Sequence, residues 1–178
     1  MARLLRPNQT YALAPQSAFA DPANPTVAEL NDRRFVHLIS CALNEDGTEL
    51  TKGASETEDS LSFCSIGNET STTFANVTAS LQWWMDANTG GSGSTVDLTS
   101  LYNKVTAMLG SPDIPYWVVS RTGPNASQDI PFAVGHVIKM GLFNTDYPQY
   151  VLENNQKVRG LNSLLFQGSY NWNYTVAA

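Results

Sequence analysis

The chain has 178 residues, enough for one domain of ordinary size with a core of its own. Its formal net charge of −6 argues against binding to nucleic-acid phosphates, which requires clustered Lys and Arg. Only 15% of the residues are charged, well below the ~25% of typical globular domains, and this indicates a surface that partners cover in large part.

The N-terminal residues 1–34 are predicted to form an extended arm. Proline, Asn and Asp punctuate this segment every few residues, which is typical of irregular chain with at most a short turn at "TVAELND". The apolar runs at the start are too short for a secretory signal peptide, and no run in the chain approaches the ~18 apolar residues of a membrane span. We therefore expect no membrane partner.

An acidic loop is predicted over residues 44–60, after a first strand over residues 35–41. The loop holds six acids and one Lys, so it carries −5 of the net charge of −6. A second strand is expected over residues 60–66. Cys41 and Cys64 are expected to be two buried thiols, with a disulfide between them as the alternative. The acids of the loop are Glu45, Asp46, Glu49, Glu56, Glu58 and Asp59.

A third strand over residues 74–85 has one apolar and one polar face, because successive strand side chains point to opposite sides. The polar face carries no charge, although a face turned to bulk water usually has charged residues at roughly a quarter to a third of its positions. We therefore expect this face to look at something other than bulk water. Its residues are Asn76, Thr78, Ser80 and Gln82. A flexible linker is predicted over residues 87–95.

One amphipathic helix is predicted over residues 97–110, with Asp97 as its N-cap and Gly110 and Pro112 at its end. Its apolar residues recur at steps of three and four. Three further strands are predicted over residues 116–122, 132–143 and 163–176. The apolar residues of the helix are Leu98, Leu101, Val105, Met108 and Leu109.

The last predicted strand repeats the pattern of an apolar face and an uncharged polar face over fourteen residues, or roughly 45 Å. Long strands without Lys, Glu or Pro at their edges tend to pair with other strands. The sheet is therefore expected to close on itself or to be completed by neighbouring copies of the chain. The polar residues are Gln167, Ser169, Asn171 and Asn173. Residues 35–178 are predicted to form a single domain, mostly β with one flanking helix.

The sequence offers little material for catalysis or metal binding. His37 and His136 are the two histidines, and neither has the spacing of a metal ligand. An EF-hand reading around Gly47 fails because Ala42 and Gly53 would occupy ligand positions. We therefore predict no catalytic, cofactor or metal site. Trp84 falls on the polar face of its strand and is a candidate interface anchor.

Several segments, taken in order, resemble the major tail proteins (tail tube subunits) of long-tailed bacteriophages, especially those of actinobacteria. The similarity runs from about Pro22 to the C-terminus, and the order and spacing of the whole set carry it. The segments are "DPANPTVAELND", "ISCAL", "LSFCSIGNETSTTFANVTASLQWWMDAN", "LYNKVTAML", "YWVVSRTG", "FAVGHVIKMG" and "SLLFQGSYNWNYTVA".

The resemblance implies an antiparallel β-sandwich or barrel whose copies form hexameric rings in the virion tail. It implies that the rings, assembled in the host cytoplasm, stack around a tape-measure protein between tail terminator and tip proteins. It also implies that the tube later conducts the DNA genome, and that the acidic loop and terminal arms bridge adjacent rings. No catalytic residue is implied.

A neutral polar face would wet such a channel without holding DNA, because it offers few cations to the phosphates. Both polar rows are candidates for this lining, and an acidic loop would repel the duplex over ~8 Å. Two alternatives remain: a carbohydrate-binding or capsid decoration β-sandwich, suggested by the exposed aromatic residues, and, last, an enzyme that uses His37 or His136.

Overall fold

The backbone forms ten strands and two α-helices within residues 9–60, 69–86, 99–123, 130–151 and 158–177, the part of the chain that a computed structural model describes. The strands are β1 (Gln9–Pro15), β2 (His37–Leu38), β3 (Glu49–Lys52), β4 (Glu56–Ser60), β5 (Glu69–Phe74), β6 (Val77–Trp84), β7 (Pro115–Thr122), β8 (Val137–Asn144), β9 (Gln149–Val151) and β10 (Arg159–Thr175). The helices are α1 (Val27–Leu30) and α2 (Leu101–Leu109).

Eight strands form one antiparallel sheet in the order β2-β1-β7-β8-β10-β6-β3, with β9 also paired to β10. Strand β10 belongs to two layers, because Arg159–Leu164 pair with β6 and Leu165–Thr175 pair with β8. We call β2, β1, β7, β8 and the second part of β10 sheet I, and the first part of β10 with β6, β3 and β9 sheet II. One long strand that passes from one layer to the other makes the corner of a β-sandwich.

The main core lies between the two sheets and is closed on one side by α2. Strand β6 contributes every second residue, and sheet I contributes Leu13, Val118 and Phe143. Helix α2 adds Val105 and Leu109 from its apolar stripe. The residues of β6 in this core are Val77, Ala79, Leu81 and Trp83. The predicted mostly β, antiparallel sandwich fold with one principal helix is confirmed.

A second core covers the other face of sheet I. Phe19, Leu30 and Val36, from the chain between β1 and β2, pack there together with Phe132 and Val176. They lie on the alternate residues of the sheet I strands, which are Ala12, Ala14, Trp117, Val119, Ile138, Met140 and Leu142. Strands β1, β7 and β8 are therefore buried on both faces, which explains why they are largely apolar.

The prediction of an extended N-terminal arm is wrong for residues 9–34. Gln9–Pro15 form β1, which pairs with β7 over its whole length and has five consecutive buried residues. The chain that follows is folded onto sheet I and contains α1, whose N-cap Thr26 and Glu29 form a reciprocal capping box. Asn31 ties this segment to Phe132, donating to its carbonyl and accepting from its N–H, both at 2.8 Å.

The predicted acidic loop over residues 44–60 is also corrected, because much of it has regular structure. A short 3₁₀ turn at Glu45–Gly47 leads into β3, which pairs with β6. Strand β4 follows and pairs with β5 in a separate two-stranded sheet. The strand expected over residues 60–66 and the linker expected over 87–95 lie outside the described residues, apart from Ser60, which ends β4.

The strand predicted over residues 35–41 is reduced to the two residues of β2, and a 3₁₀ turn follows at Ser40–Ala42. The later elements match their predictions with shifted ends. Strand β7 is as predicted, and β8 begins at Val137, five residues later than expected. The N-cap of helix α2 is Ser100 and not the predicted Asp97, which lies outside the described residues. Cys41 is a free thiol and exposed, not buried, whereas Cys64 lies outside the described residues.

Strand β10 has two irregularities that its sequence pattern does not predict. Its register against β8 shifts between Phe166 and Tyr170 and again between Trp172 and Tyr174. Gly168 (φ +79°) and Asn173 (φ +59°) lie at these positions. Because of the shifts, Phe166 and Trp172 pack on the main core but Tyr174 packs on the second core, so the predicted single apolar face is split.

Candidate functional site

The polar row of β6 lies on the outer face of sheet II, opposite the main core. Asn76 and Thr78 are exposed and Ser80 is half-buried. Thr78 shares a 2.8 Å hydrogen bond between hydroxyls with Thr51 of the neighbouring β3. Ser163 of β10 is exposed in register with Ser80, so this end of the face is continuous across three strands.

Gln82 does not belong to the exposed row, because the Glu45–Gly47 turn and its flanks cover it. Its side chain is only 8% exposed and bonds to the amide of Asn44. The backbone carbonyl of Gln82 accepts from the Asn44 N–H at 2.7 Å and from the Thr48 hydroxyl. Its backbone N–H donates to the same hydroxyl. Gln82 is therefore a structural hydrogen-bonding residue in the subunit, and its prediction as a channel-facing residue is corrected.

Gly47 makes this close approach of the turn to β6 feasible. A Cβ atom at residue 47 would lie 2.7 Å from Cβ of Gln82, closer than side chains tolerate. The Ser80 hydroxyl donates to the Gly47 carbonyl at 3.2 Å. Gly47, which does not belong to an EF-hand, therefore has a packing role.

Trp84 is half-buried beside Arg159, its register partner on β10. The guanidinium carbon of Arg159 lies 5.7 Å from the centre of the indole ring, and its terminal nitrogen lies 3.5 Å from the Gln82 amide oxygen. Trp84 therefore has an intramolecular cation–π partner. Arg159 was not identified from the sequence as a residue of this face, since only the strand register brings it there.

The polar residues of β10 do not form one regular row, because the first register shift, between Phe166 and Tyr170, interrupts it. Gln167 and Ser169 are exposed, and the Gln167 amide donates to the carbonyl of Leu165 at 3.0 Å. Asn171 is half-buried because its amide donates to the Ala23 carbonyl, at 2.7 Å, in the segment that covers sheet I. Asn173 is exposed in the left-handed conformation. These residues lie in sheet I, so the two predicted rows belong to different layers.

The acidic residues are spread over three elements, a 3₁₀ turn and the strands β3 and β4. Glu45 and Asp46 are exposed in the 3₁₀ turn, and Glu49 is exposed at the start of β3. Glu45 and Glu49 line a cleft of about 420 Å³ between β1 and β3. Glu56, Glu58 and Asp59 lie on β4, in the separate two-stranded sheet.

His136 lies beside a buried cation. Its Nδ1 accepts from the N–H of Ala133 at 3.0 Å and lies 3.3 Å from a guanidinium nitrogen of Arg121. Burial and the charge of Arg121 lower the pKa of His136. Since Nδ1 is an acceptor for both neighbours, the neutral ring carries its hydrogen on Nε2. This arrangement fixes the loop before β8.

Within the described ranges, no group of three or more His, Cys, Asp or Glu residues could hold a metal ion. No helix in the described part of the chain is long and apolar enough to cross a membrane. A search of curated proteins found no match to the chain. A family model described as "Phage tail tube protein" matches residues 1–178.

Proposed function

The chain belongs to the phage tail tube protein family, and we propose that six copies form a ring and that stacked rings form a channel for the DNA genome. The family is structural and non-catalytic, and its members assemble into a tube with other tail proteins as components of the virion tail. The observation that carries the proposal is the match of the family model over residues 1–178.

The strand arrangement supports assembly. Within the described residues, β3 ends the sheet order and pairs only with β6. The β4–β5 pair forms a two-stranded sheet of its own, and such an isolated hairpin is at best marginally stable in water. Neighbouring copies can complete the edge of β3 and give the β4–β5 pair a surface to pack on.

The outer face of sheet II is our candidate for the channel lining. Asn76, Thr78, Thr51 and Ser163 present amides and hydroxyls there, and none of these four side chains is a cation that could hold phosphates. Glu49 adds negative charge beside them. The exposed residues of β10 in sheet I, Gln167, Ser169 and Asn173, form the alternative lining.

The other partners follow from the same proposal. We propose that the tube assembles in the host cytoplasm around a tape-measure protein and is bounded by tail terminator and tip proteins. Trp84 is the proposed anchor between copies, in contact with Arg159 of its own chain. No residue is proposed to bind DNA specifically.

Electron microscopy of the purified protein tests the proposal. We expect tubes or six-membered rings, and a chain that stays monomeric at high concentration would contradict it. The lining is tested separately with Thr78→Cys and Gln167→Cys in a Cys41→Ser/Cys64→Ser background, each treated with a maleimide carried on a large polyethylene glycol.

In assembled tubes, the thiol at residue 78 should be protected from the large reagent but should react with a small maleimide. The thiol at residue 167 should react with both. The reverse pattern would assign the lining to β10, and both thiols should react in the unassembled protein.

A further inference from the structure

The cleft between β1 and β3, which we call the edge cleft, follows the edge of sheet II. Four consecutive residues, 48–51, line it. Because successive side chains of a strand point to opposite faces, a run of neighbours indicates a cleft along the edge of the strand and not on one face. Gln9 and Tyr11 of β1 lie across it. Its volume of about 420 Å³ falls in the range of pockets that hold a ligand, roughly 300–1,000 Å³.

The edge cleft combines an apolar floor with negative charge at its rim. Tyr11 and Leu50 are buried in the main core, and the half-buried Leu43 packs against them. Glu49 is exposed at the rim. No Lys or Arg is among the described residues that line the cleft. Such a cleft suits an occupant that is both apolar and cationic.

The segment that leads into β1 has this composition. Residues 1–8, which lie outside the described part of the chain, read "MARLLRPN" and contain Arg3, Arg6, two leucines and no acid. Pro7 has no N–H group, and it restricts the residue before it to an extended backbone. A segment of this kind is suited to the edge of a sheet and not to its interior.

The segment joins the fold at the cleft itself, because Gln9, the first residue of β1, lines the cleft. Eight extended residues reach about 26 Å, whereas stacked sheets lie about 10 Å apart. Residues 1–8 can therefore cross from β1 to β3. For so short a tether the effective concentration is of the order of millimolar, so in dilute protein the segment binds its own cleft before that of a second copy.

We propose that residues 1–8 of the unassembled subunit bind in the edge cleft of the same chain. Arg3 and Arg6 lie against Glu49, and the leucines of the segment cover the apolar floor at Leu43 and Leu50. The chain thereby closes the gap between β1 and β3 with its own N-terminal segment.

The bound segment also covers the edge of β3. This consequence rests on the proposed function, because it assumes that a neighbouring copy pairs with that edge during assembly. Residues 1–8 then have to leave the cleft before the neighbouring copy can pair with β3. The segment therefore delays assembly of the subunit.

Photo-cross-linking of the unassembled protein tests the contact. Benzoylphenylalanine replaces Leu5, and equal amounts of unlabelled and ¹⁵N-labelled chains are mixed at micromolar concentration and irradiated. We expect links from residue 5 to residues 43–51 of the same chain. In the control the same amino acid replaces Tyr147, which is exposed before β9 at the opposite edge of sheet II, and should give no link to residues 43–51. Links from residue 5 that join two chains, or none to residues 43–51, would overturn the proposal.

Charge reversal at the rim provides the second test. A thiol introduced by Leu5→Cys, in the Cys41→Ser/Cys64→Ser background, reacts with maleimide in proportion to the fraction of released segment. Glu49→Lys should raise this rate about threefold in the unassembled protein, because it places a cation beside Arg3 and Arg6. Adding Arg3→Glu/Arg6→Glu restores opposite charges and should return the rate most of the way.

Asp46→Lys is the matched control, since it changes the net charge equally in the preceding turn but Asp46 is not among the described residues that line the cleft. An equal acceleration in this control, or no return in the combined variant, would reject the contact with Glu49. Circular dichroism shows whether each variant is folded, and the photo-cross-link does not depend on any charge variant.

Assembly kinetics test the consequence. Deleting residues 1–8 should shorten the lag before tubes appear about threefold, and an unchanged or longer lag would overturn the delaying role. Wild-type protein that never assembles rejects the proposed function. The cross-link from residue 5 is measured in unassembled protein, so it still decides whether the segment binds the edge cleft.

Discussion

The indole of Trp83 packs directly on the backbone of Gly160, its partner in the ladder between β6 and β10. A Cβ atom at residue 160 would lie 2.3 Å from Cζ2 of Trp83. Because Trp83 is fully buried in the main core, it has no space into which to move. Gly160→Ala should therefore lower the free energy of unfolding by roughly 1–3 kcal/mol, measured by urea denaturation of the unassembled protein.

Gly53→Ala is the matched control for this substitution. A Cβ atom at residue 53 would meet its nearest neighbour, the carbonyl of Asn76, at an ordinary 3.7 Å. Its effect should stay within about 0.5 kcal/mol, as for most surface changes. Equal losses for the two alanines would show that the contact with Trp83 is not the cause.

A second prediction concerns the polar end of the same tryptophan. The Trp83 indole N–H donates to the Thr106 hydroxyl at 2.9 Å, and that hydroxyl donates to the carbonyl of Tyr102. Thr106→Val keeps the shape but leaves the indole N–H without its acceptor, which should cost about 1–3 kcal/mol in urea denaturation. Thr106→Ser keeps the hydroxyl and should retain most of the stability. A valine variant as stable as the serine variant would contradict this role.

The sequence predicted the elements that are buried on one face only. From Val77 to Trp83, strand β6 alternates between apolar and polar residues, so its core face could be assigned residue by residue. The stripe of α2 identified Val105 and Leu109 in the same way. In both elements the apolar residues recur with the period of the backbone, so the local sequence pattern is sufficient to assign the buried face.

Strand β1 was missed because it is buried on both faces. Its residues alternate between the two cores, with Leu13 in the main core and Ala12 and Ala14 in the second, so the sequence shows no polar face. The surrounding prolines then favour irregular chain.

Gln82 was assigned to the wrong environment for a related reason. Alternation placed it on the polar face, but only the folded chain brings Asn44 and the following turn across it.

Truncation tests whether residues 9–15 are a strand that the fold requires or an arm that it does not. Deleting residues 1–15 removes β1, which lies between β2 and β7 in the sheet, and should abolish cooperative unfolding because β7 loses its partner and both cores lose residues. Deleting residues 1–8 leaves β1 intact and should preserve the cooperative transition. Circular dichroism during thermal denaturation measures both. A cooperative transition in the longer deletion would show that residues 9–15 are dispensable for the fold.

The lowered pKa of His136 predicts a loss of stability on acidification. The ordinary pKa of a histidine is 6.5, and burial and the charge of Arg121 place the folded-state pKa of His136 below this value. Between these two pKa values the unfolded chain binds a proton that the folded chain does not, so the free energy of unfolding should fall as pH drops below about 6.5. Urea denaturation at pH 7 and at pH 5.5 measures the change.

His136→Asn should reduce this pH dependence, because the Asn side-chain oxygen can accept from Ala133 N–H without titrating. His37 also has a lowered pKa, from burial and Lys104, so the double variant with His37→Asn should have the flattest profile. Unchanged slopes in both variants would assign the pH dependence to other groups.

Asn162 connects three elements from a fully buried position. Its amide nitrogen donates to the carbonyl of Leu109, at the end of α2, and to that of Asp146, after β8. Its amide oxygen accepts from the Asp146 N–H at 2.9 Å. Asn162→Asp has the same shape, but its carboxylate can donate to neither carbonyl, so it should cost at least about 2 kcal/mol at pH 7.

The two carbonyls and the burial should raise the pKa of the new carboxyl group above its ordinary value. Its protonated form can donate one hydrogen bond, so the destabilisation relative to wild type should shrink as pH falls from 7 to 5. Asn76→Asp, which introduces the same group at an exposed position, should show little loss at either pH. A cost at Asn162→Asp that is small at pH 7, or that does not diminish at pH 5, would show that donation by the Asn162 amide does not hold α2 and β10 together.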